Sequence, residues 1–501
     1  MVRHLLDNHE GKFQRFLEIM PGLLAWVIIL FPAIGGFFIP EVVAYFVLLF
    51  VAYWFFRSFQ AAILGPRGYF LFKIAEKTDW KQAWQDYTEQ KLEWDDIRHV
   101  IIVPNYNETR EKLASTISSF ANQKQVDTKN ILLFLAMEAR VPDAKTRANA
   151  LIKQFSKDFG GVYATYHPDN IPGEIRGKAS NEAWSAKEAA KILKKLKVDI
   201  ENVTVTSCDA DTNFHPLYYA ALTYSFATHE HKYERFWQSP ILWHNNLRRV
   251  PFPIRVVGVV GHAVQLSALQ EPTRLIFSQS CYSLSFKLLK DVGYWHTNII
   301  PEDWHIFLQS FFAKKGKVEV EPIFLPTNID APEAKTWLGS LRNRYEQTKR
   351  HAWGATDIPY AIKEAIRHPE IPLLARLLRV YKLIETHAIW STNWFILTLG
   401  AILPVALNPA FARTSLGYML PKTAQAILTI CLLALLVTII LDFALRPKSA
   451  RPQTPLAIIG EVFQWITLPI ATLFLNVLPG LDSHTRLMLG KRLEYKVTEK
   501  V

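Results

Sequence analysis

The sequence predicts a soluble α/β domain inserted between N-terminal and C-terminal blocks of membrane helices. Half of the 501 residues are hydrophobic, and they are strongly clustered. Residues 21–38 and 42–56 are almost free of charge, and each stretch is close to the roughly 20 residues that a helix needs to cross hydrocarbon. Between residues 95 and 367, strand-like and helical patterns alternate, which is typical of a parallel sheet covered by helices.

The two N-terminal stretches form a predicted hairpin that turns at Pro40 and Glu41. The first stretch follows a charged start and has no small-residue cleavage site. We therefore expect it to be retained and not removed as a signal peptide.

Three more apolar segments lie at residues 387–407, 423–445 and 456–478. The last carries Glu461, Gln464 and a central Pro469, which breaks or bends a helix. Short cytosolic loops gather Lys and Arg, and both the loop before this segment and the tail after it are basic. Both can be cytosolic only if the last segment does not cross, so we predict four spans and a final re-entrant hairpin or interfacial helix. A fifth full span with the tail outside is the alternative. The basic residues are Arg446, Lys448, Arg451, Arg486, Lys491, Arg492, Lys496 and Lys500.

Residues 68–87 and 371–385 mix aromatic and aliphatic residues with Lys and Arg, which favours amphipathic helices at a membrane surface. The predicted organisation is a transmembrane hairpin (1–64), an interfacial segment (65–94), a cytosolic α/β domain (95–370), an interfacial helix (371–386), a C-terminal transmembrane region (387–480) and a basic tail (481–501).

Within the domain, the first predicted strands and helices alternate along the chain. The strands are 99–103, 131–136 and 203–208, and the helices are 109–122, 144–159 and 181–196. Ligands of such sheets bind beyond the carboxyl ends of the strands. Polar residues at 104–107 and 209–211 follow two of these ends, so the sequence predicts that they share one crevice.

The net charge of +12 is compatible with nucleic acid, an anionic membrane face or an anionic small substrate. No pattern resembling a nucleic-acid-binding module accompanies the charge, so we expect the last two partners. Cys208, Cys281 and Cys431 have no paired spacing, which argues against a disulfide framework or a cysteine metal site.

Asp209 and Asp211 are the strongest candidates for metal ligands. They lie two residues apart after an apolar strand, so both can face the same way at its end. Mg²⁺ and Mn²⁺ prefer oxygen ligands and bind substrate phosphates through one or two carboxylates. A turn capped by Asp side chains is the alternative.

Six motifs occur in order along the chain. They are Val-Pro-Asn-Tyr-Asn-Glu (103–108), Gly-Lys (177–178), Asp-Ala-Asp (209–211), Trp-Gln-Ser-Pro (237–240), Pro-Glu-Asp (301–303) and Gln-Thr-Lys-Arg (347–350). Together they resemble the membrane-embedded family-two glycosyltransferases, the group that contains the cellulose and hyaluronan synthases. The resemblance implies a GT-A fold, which binds a nucleotide sugar.

The resemblance also implies how the donor is held. Asp209 and Asp211 would bind the metal and the donor diphosphate, and Lys178 would pair with a donor phosphate. The turn after the first strand would contact the base and ribose through Pro104, Tyr106, Asn107 and Glu108. Glu138 stands where the family has an Asp, so the resemblance implies that its longer carboxylate would contact the base. The alternatives are a helix cap at Asn107 and a solvated loop at Lys178.

Asp303 is the general base that the resemblance implies, because an acceptor hydroxyl needs a carboxylate within hydrogen-bond reach to take its proton. Glu302 would orient it. Pro301 replaces the family threonine, and neither this change nor His305 removes the base. The alternative is that both acids only interact with the dipole of the following helix.

The remaining motifs concern the leaving group and the acceptor. Gln347 to Arg350 resembles Gln-x-x-Arg-Trp, with His351 at the tryptophan position and Trp353 two residues later. Arg350 would clamp the leaving diphosphate. Gln238 belongs to a segment that lies near the acceptor in cellulose synthases. Candidates for sugar stacking are Trp243, Trp295, Trp337 and Trp353, although core packing is the better interpretation for any single one.

The resemblance thus implies an inverting hexosyltransferase with a cytosolic catalytic domain in the plasma (inner) membrane, active in polysaccharide and cell-envelope biosynthesis. Its acceptor would be a glycan or a lipid-linked molecule. A processive synthase that extrudes its polymer and a non-processive transferase to polyprenyl phosphate both remain open. A transporter or receptor is the remote alternative, for which Glu461 is nearly the only intramembrane charge.

Overall fold

Three helices precede the central domain in the computed structural model, which describes residues 10–89, 92–447 and 454–493. They are α1 (Glu10–Phe38), α2 (Pro40–Ala75) and α3 (Trp80–Gln85). Helices α1 and α2 form the predicted hairpin, with Ile39 at the turn and Pro40 in the first turn of α2, where its missing N–H costs nothing. The predicted basic residues Lys448, Arg451, Lys496 and Lys500 lie outside the described residues.

The domain is built on a seven-stranded sheet and a small three-stranded sheet. The strands are β1 (Arg98–Asn105), β2 (Ile131–Glu138), β3 (Gly161–His167), β4 (Val203–Ser207), β5 (Asn213–Phe214), β6 (Arg235–Gln238), β7 (Ile241–Leu242), β8 (Tyr282–Ser285), β9 (Glu319–Pro322) and β10 (Thr327–Asn328). The large sheet has the order β3-β2-β1-β4-β8-β6-β9, and the small one β5-β10-β7.

The large sheet is mixed and not wholly parallel as predicted. Strands β1 to β4 are parallel, but β8 runs antiparallel to both β4 and β6. All residues of β2 and β4 are buried, as expected for strands covered on both faces. The antiparallel strand has a consequence for function, because it brings the residues before β8 beside the end of β4.

The helices described in the domain are α4 (Arg110–Ala121), α5 (Ala144–Phe155), α6 (Lys178–Lys195), α7 (Tyr218–Thr228), α8 (Phe252–Ala268), α9 (Phe286–Asp291), α10 (Glu302–Ala313), α11 (Trp337–Ala352) and α12 (Asp357–Arg367). All of them except α8 and α11 contribute buried residues to the two hydrophobic cores that include the strands of the large sheet. In α4, apolar residues recur at helical spacing and all are buried: Leu113, Ile117 and Phe120. Thr109, and not Asn107, caps this helix by accepting the N–H of Lys112.

The C-terminal helices return to the α1–α2 hairpin. They are α13 (Leu373–Leu399), α14 (Leu403–Leu407), α15 (Pro409–Ala412), α16 (Ser415–Leu445), α17 (Pro455–Phe463), α18 (Leu468–Thr472) and α19 (Leu478–Met488). Neither predicted interfacial segment forms one helix of its own. Residues 68–75 are the last part of α2, and residues 80–85 form the short α3. Residues 373–385 form the first part of α13.

Four described helical stretches are long and apolar enough to cross a membrane: Glu10–Phe38, Pro40–Ala75, Ser415–Leu445 and Ile459–Met488. Three contain predicted spans. The predicted span 387–407 is not among them, since its helix is interrupted after Leu399. The stretch Ile459–Met488 overlaps the segment that we predicted not to cross, and it is broken around Pro469 by 3-10 and π turns.

The contacts of the last segment show where its two ends lie. At its start, Glu461 pairs with Arg446, which follows α16 directly. The end of α16 lies beside the end of α2, where a Cβ at Gly65 would come 2.9 Å from Leu441 Cδ2. At its end, Arg15 Nη1 donates to the carbonyl of Leu487 at 2.7 Å, beside the start of α1. The start of α1 and the end of α2 are on the same side of the hairpin, so both ends of the segment lie on the domain side.

The opposite side of the helix bundle is occupied by α14. A Cβ at Gly36, near the turn of the hairpin, would lie 2.9 Å from Pro404 Cα. The chain therefore passes from the domain to the far side through α13 and returns through α16. That residues 387–407 form the third of four membrane crossings stays a prediction.

We predict that cysteines introduced at Thr454 and Arg492 will react with a membrane-impermeant maleimide from the same side as a cysteine at Lys191 in the domain. All three positions are exposed. A cysteine at the exposed Arg413, between α15 and α16, should react only from the other side. Cys431→Ser provides the background, since Cys208 and Cys281 are buried. Labelling of Arg492→Cys from the side of Arg413→Cys would mean that the last segment spans the membrane.

Candidate active site

A cavity of about 470 Å³ opens at the carboxyl ends of β1, β2 and β4. Most of the residues predicted for the site line it: Pro104, Tyr106, Glu108, Glu138, Lys178, Asp209, Glu302, Asp303, Gln347 and Arg350. Four predicted residues, Asn107, Asp211, Gln238 and Trp353, are not part of its lining. The crevice expected from the strand ends is therefore present, with a smaller set of residues than predicted.

One corner of the cavity lies at the ends of the adjacent parallel strands β1 and β2. The guanidinium of Arg140 lies over the Tyr106 ring, 4.6 Å from its centroid, and its Nε is 3.2 Å from Glu138 Oε2. Glu108 Oε2 accepts the backbone N–H of Tyr106 at 2.6 Å, which fixes the turn. The corner thus offers an aromatic face and a buried carboxylate side by side.

Lys178 is the charged centre of the cavity. It is the first residue of α6, and its Nζ lies 3.0 Å from Asp209 Oδ1, 2.8 Å from Glu302 Oε1 and 3.9 Å from Glu182 Oε1. It also donates to the carbonyl of Ser280 at 2.8 Å. Burial alone would lower the pKa of Lys178, but the attraction of the three carboxylates outweighs it and raises this pKa well above its ordinary value.

Ser280 joins two of the predicted acidic residues. Its hydroxyl donates to Asp209 Oδ2 at 2.7 Å, and its backbone N–H donates to Asp303 Oδ2 at 2.9 Å. Ser280 has a φ of +51°, a left-handed conformation that is uncommon for a residue other than glycine. Such backbone strain persists where surrounding contacts enforce it, and it concentrates at functional sites. No motif in the sequence marked this residue.

Gln238 holds the segment that contains Ser280. Its Nε2 donates to the carbonyl of Cys281 at 3.0 Å, and its Oε1 accepts the N–H of Gln279 at 2.8 Å. It is 2% exposed, so it contacts this loop and not the cavity. In the structure, Gln238 therefore fixes the loop that carries Ser280, whereas the sequence suggested a position near the acceptor.

Asp303 lies in the first turn of α10, where its Oδ1 also accepts the N–H of Trp304 at 2.9 Å. Burial, reinforced by the neighbouring Glu302 charge, raises the pKa of Asp303 to about 7. Burial likewise raises the pKa of Glu182 to about 8. Glu182 is four residues after Lys178 on α6, so helical spacing could have marked it as a neighbour of the site.

Asp211 is not part of the cavity lining. It is 1% exposed, and its Oδ2 accepts the backbone N–H of Asp330 at 3.0 Å. Of the two acids of the Asp-Ala-Asp motif, only Asp209 lines the cavity.

Helix α11 supplies the wall opposite the sheet through residues three apart on one face, Arg344, Gln347 and Arg350. Arg344 Nη1 donates to Gln347 Oε1 at 3.1 Å. Trp353 is buried in the hydrophobic core beyond this helix, so the structure gives it a packing role. The sequence analysis did not single out Arg344.

The cavity extends towards the helix bundle. Val257, Gly258 and Gln265 of α8 and Trp390 of α13 complete its lining. Gly258 is needed here, since a Cβ would come 2.5 Å from the ring of Trp243. Helix α8 packs in turn against α2 and α16, through a small core that includes Leu266 and Leu441.

Comparison with known proteins identifies the class of this chain. Residues 204–443 match the model of glycosyl transferase family group 2. This range includes Asp209, Asp303 and Arg350. The chain is therefore a glycosyltransferase that is similar to this family over these residues. With the α/β sheet and the flanking apolar helices, the match confirms the predicted GT-A fold class. It does not single out the cellulose or hyaluronan synthases.

No curated protein sequence matches the chain. Among solved structures, a mannosyltransferase from Pyrobaculum calidifontis in complex with GDP-Man and Mn²⁺ has 13% sequence identity and a TM-score of 0.38, covering 86% of this chain and 99% of its own. GalNAc-T7 with UDP, GalNAc and Mn²⁺ has 11% identity and a TM-score of 0.30, covering 60% of this chain and 56% of its own. Both likenesses are weak, and the assignment depends on the family match.

We predict that kcat/KM rises with pH through about 7. Asp303 can accept a proton only when it is ionised, and its raised pKa leaves it mostly protonated below that pH. The value should fall about tenfold per pH unit on the acid side. The measurement is initial rate at low donor concentration, with melting temperature recorded at each pH as a control for folding. A flat profile from about pH 5.5 to about pH 8 would exclude Asp303 as the titrating base.

Proposed function

We propose that this glycosyltransferase moves a sugar from a nucleotide diphosphate sugar to a hydroxyl of a glycan or lipid-linked acceptor in a single inverting displacement. The observation that carries the proposal is one cavity in which a buried carboxylate of raised pKa lies beside a lysine held among acids. The hydroxyl oxygen attacks the anomeric carbon, the bond from this carbon to the diphosphate breaks, and the nucleoside diphosphate leaves.

Asp303 acts as the general base in this proposal. A base works best when its pKa is near the operating pH, and burial brings the pKa of Asp303 to about 7. The N–H groups of Ser280 and Trp304 fix the orientation of its carboxylate. Glu302 lies next to it and contacts Lys178, so its role is to position the lysine and tune the charge of the site.

Lys178 and Arg350 bind the diphosphate and stabilise the charge that develops on it as the glycosidic bond breaks. Preorganised charges of this kind contribute most when they need no rearrangement during the reaction. Lys178 is already fixed by Asp209, Glu302 and the Ser280 carbonyl. Tyr106, Arg140 and Glu138 form the corner suited to a nucleotide base.

The charges of the site fit a divalent cation. Four carboxylates, from Glu182, Asp209, Glu302 and Asp303, are grouped around one lysine, so hard oxygen donors are in excess. Asp209 lines the cavity and would hold Mg²⁺ or Mn²⁺, whereas Asp211 remains a predicted ligand whose carboxylate lies outside the lining. When bound, such an ion neutralises phosphate oxygens of the donor.

The acceptor would approach from the helix side of the cavity. Its wall there is formed by α8 and Trp390, next to the helices that are apolar enough to span a membrane. We propose that the domain lies at the cytosolic face of the plasma (inner) membrane, where the basic loops would also lie. Polysaccharide biosynthesis of the cell envelope is the role that this placement supports.

We predict that Asp303→Asn will bind donor nearly as well as the unmodified enzyme but lose transfer by about a hundred- to ten-thousand-fold, because the amide keeps the shape and cannot take the proton. Glu302→Gln should cost less. If both acids only interacted with the helix dipole, either change would lower stability by about 1 kcal/mol with little effect on turnover.

The measurements are donor binding, single-turnover transfer and melting temperature for both variants. Retained turnover in Asp303→Asn at unchanged donor affinity would remove Asp303 from the mechanism. Loss of donor binding in this variant would instead indicate that its carboxylate holds the donor.

A further inference from the structure

Arg344 is a buried cation in the wall of the cavity. Only 7% of the residue is exposed, although its side chain lines the cavity from α11. It forms no ion pair with any carboxylate of the described chain. Its one side-chain hydrogen bond goes to a neutral group, Gln347 Oε1, at 3.1 Å. Its Nε is buried and has no hydrogen-bond partner.

This environment is unusual for an arginine. Charged side chains are almost never buried unless they are paired, because transfer of a charge out of water is costly. Burial lowers the pKa of Arg344 to about 10, and no acid raises it again. The other cations of the site differ in this respect, since Lys178 lies between Asp209 and Glu302 and Arg140 lies against Glu138. A buried arginine is normally paired with an anion, and Arg344 has no anionic partner among the described residues.

The surroundings of Arg344 hold it in one orientation. Its guanidinium lies over the indole of Trp243, 4.6 Å from the ring centroid, and Gln347 fixes one edge. Trp243 is itself packed against Gly258 of α8. A planar guanidinium held in this way presents its free N–H groups as a fork that matches the geometry of phosphate or carboxylate oxygens.

Arg344 lies on the part of the wall that faces the helix bundle. Trp243 and α8 are its neighbours, whereas the corner suited to the base is formed by Tyr106, Arg140 and Glu138 at the sheet. Arg350 lies six residues further along α11 and also lines the cavity. In the proposed function, Lys178 and Arg350 bind the diphosphate of the donor. Arg344 has no role in binding the donor and can therefore bind another anion.

We propose that Arg344 forms a second anion-binding subsite, which recognises an anionic group on the acceptor. This inference depends on the proposed function and deepens it by naming the substrate class: the acceptor carries a phosphate or a carboxylate in addition to the hydroxyl that receives the sugar. The phosphate could belong to a lipid linkage, and the carboxylate to an acidic glycan.

The experiment uses the full chain in detergent, with the donor site filled first. Nucleoside diphosphates are compared in the presence of Mg²⁺, and the one that raises the melting temperature most is then added at a saturating concentration. Farnesyl phosphate, glucuronate and the uncharged farnesol are then titrated, and their binding is followed by the further shift in melting temperature. If no nucleoside diphosphate binds, the proposed function has failed; this outcome is separate from a failure to bind the second anion.

We expect at least one anion to bind at least about tenfold more tightly than its uncharged control, which is glucose for glucuronate. Binding of farnesyl phosphate and not of glucuronate would indicate that the acceptor carries a lipid phosphate. Binding of glucuronate and not of farnesyl phosphate would indicate an acidic glycan. Arg344→Gln should remove this preference, and Arg344→Lys should keep part of it. Arg342→Gln is the matched control, because Arg342 is an exposed arginine on the same helix.

A second measurement, the melting temperature of the unliganded protein, tests whether variants at Arg344 still fold. Because Arg344 is an unpaired buried charge, Arg344→Met, which keeps much of the apolar stem, should leave the melting temperature of the unliganded protein unchanged or higher. Two results would overturn the proposal: an anion preference that persists in folded Arg344→Gln, or no preference of the unmodified protein for either anion over its neutral control.

Discussion

The site depends on one buried ammonium group. Lys178 lies within 3.0 Å of both Asp209 Oδ1 and Glu302 Oε1, and without its charge these two carboxylates would repel one another. The segment at Ser280 completes the arrangement, because its hydroxyl reaches Asp209 and its N–H reaches Asp303. The position of each acid thus follows from the lysine and from one strained turn.

The sequence predicted the parts of this arrangement that depend on local patterns. Apolar periodicity predicted strands at 99–103, 131–136 and 203–208, and the structure has them as Arg98–Asn105, Ile131–Glu138 and Val203–Ser207. It could not predict that β8 runs antiparallel beside β4, because that pairing joins distant parts of the chain. For this reason the roles of Ser280 and Gln238 were missed or misread.

The positions of Asp211 and Trp353 outside the cavity lining have a similar origin. Alternation along a strand suggested that Asp209 and Asp211 face one way, but the chain leaves the sheet after β4, and Asp211 turns towards Asp330. Trp353 was a candidate because it lies close to the tryptophan position of the Gln-x-x-Arg-Trp motif, but in the structure it packs in a hydrophobic core. Arg344 shows the converse case: its proposed role depends on its burial without a carboxylate partner among the described residues, which no sequence pattern reveals.

The most direct test of the central claim is transfer from a panel of radiolabelled sugar nucleotides by membranes that contain the chain, followed by separation of polymer from lipid and determination of the anomeric configuration of the product. The cavity geometry predicts label transfer from a nucleotide diphosphate sugar with inversion at the anomeric carbon. Retention of configuration would contradict the single displacement, and absence of transfer from every sugar nucleotide in the panel would contradict the assignment of this cavity as the donor site.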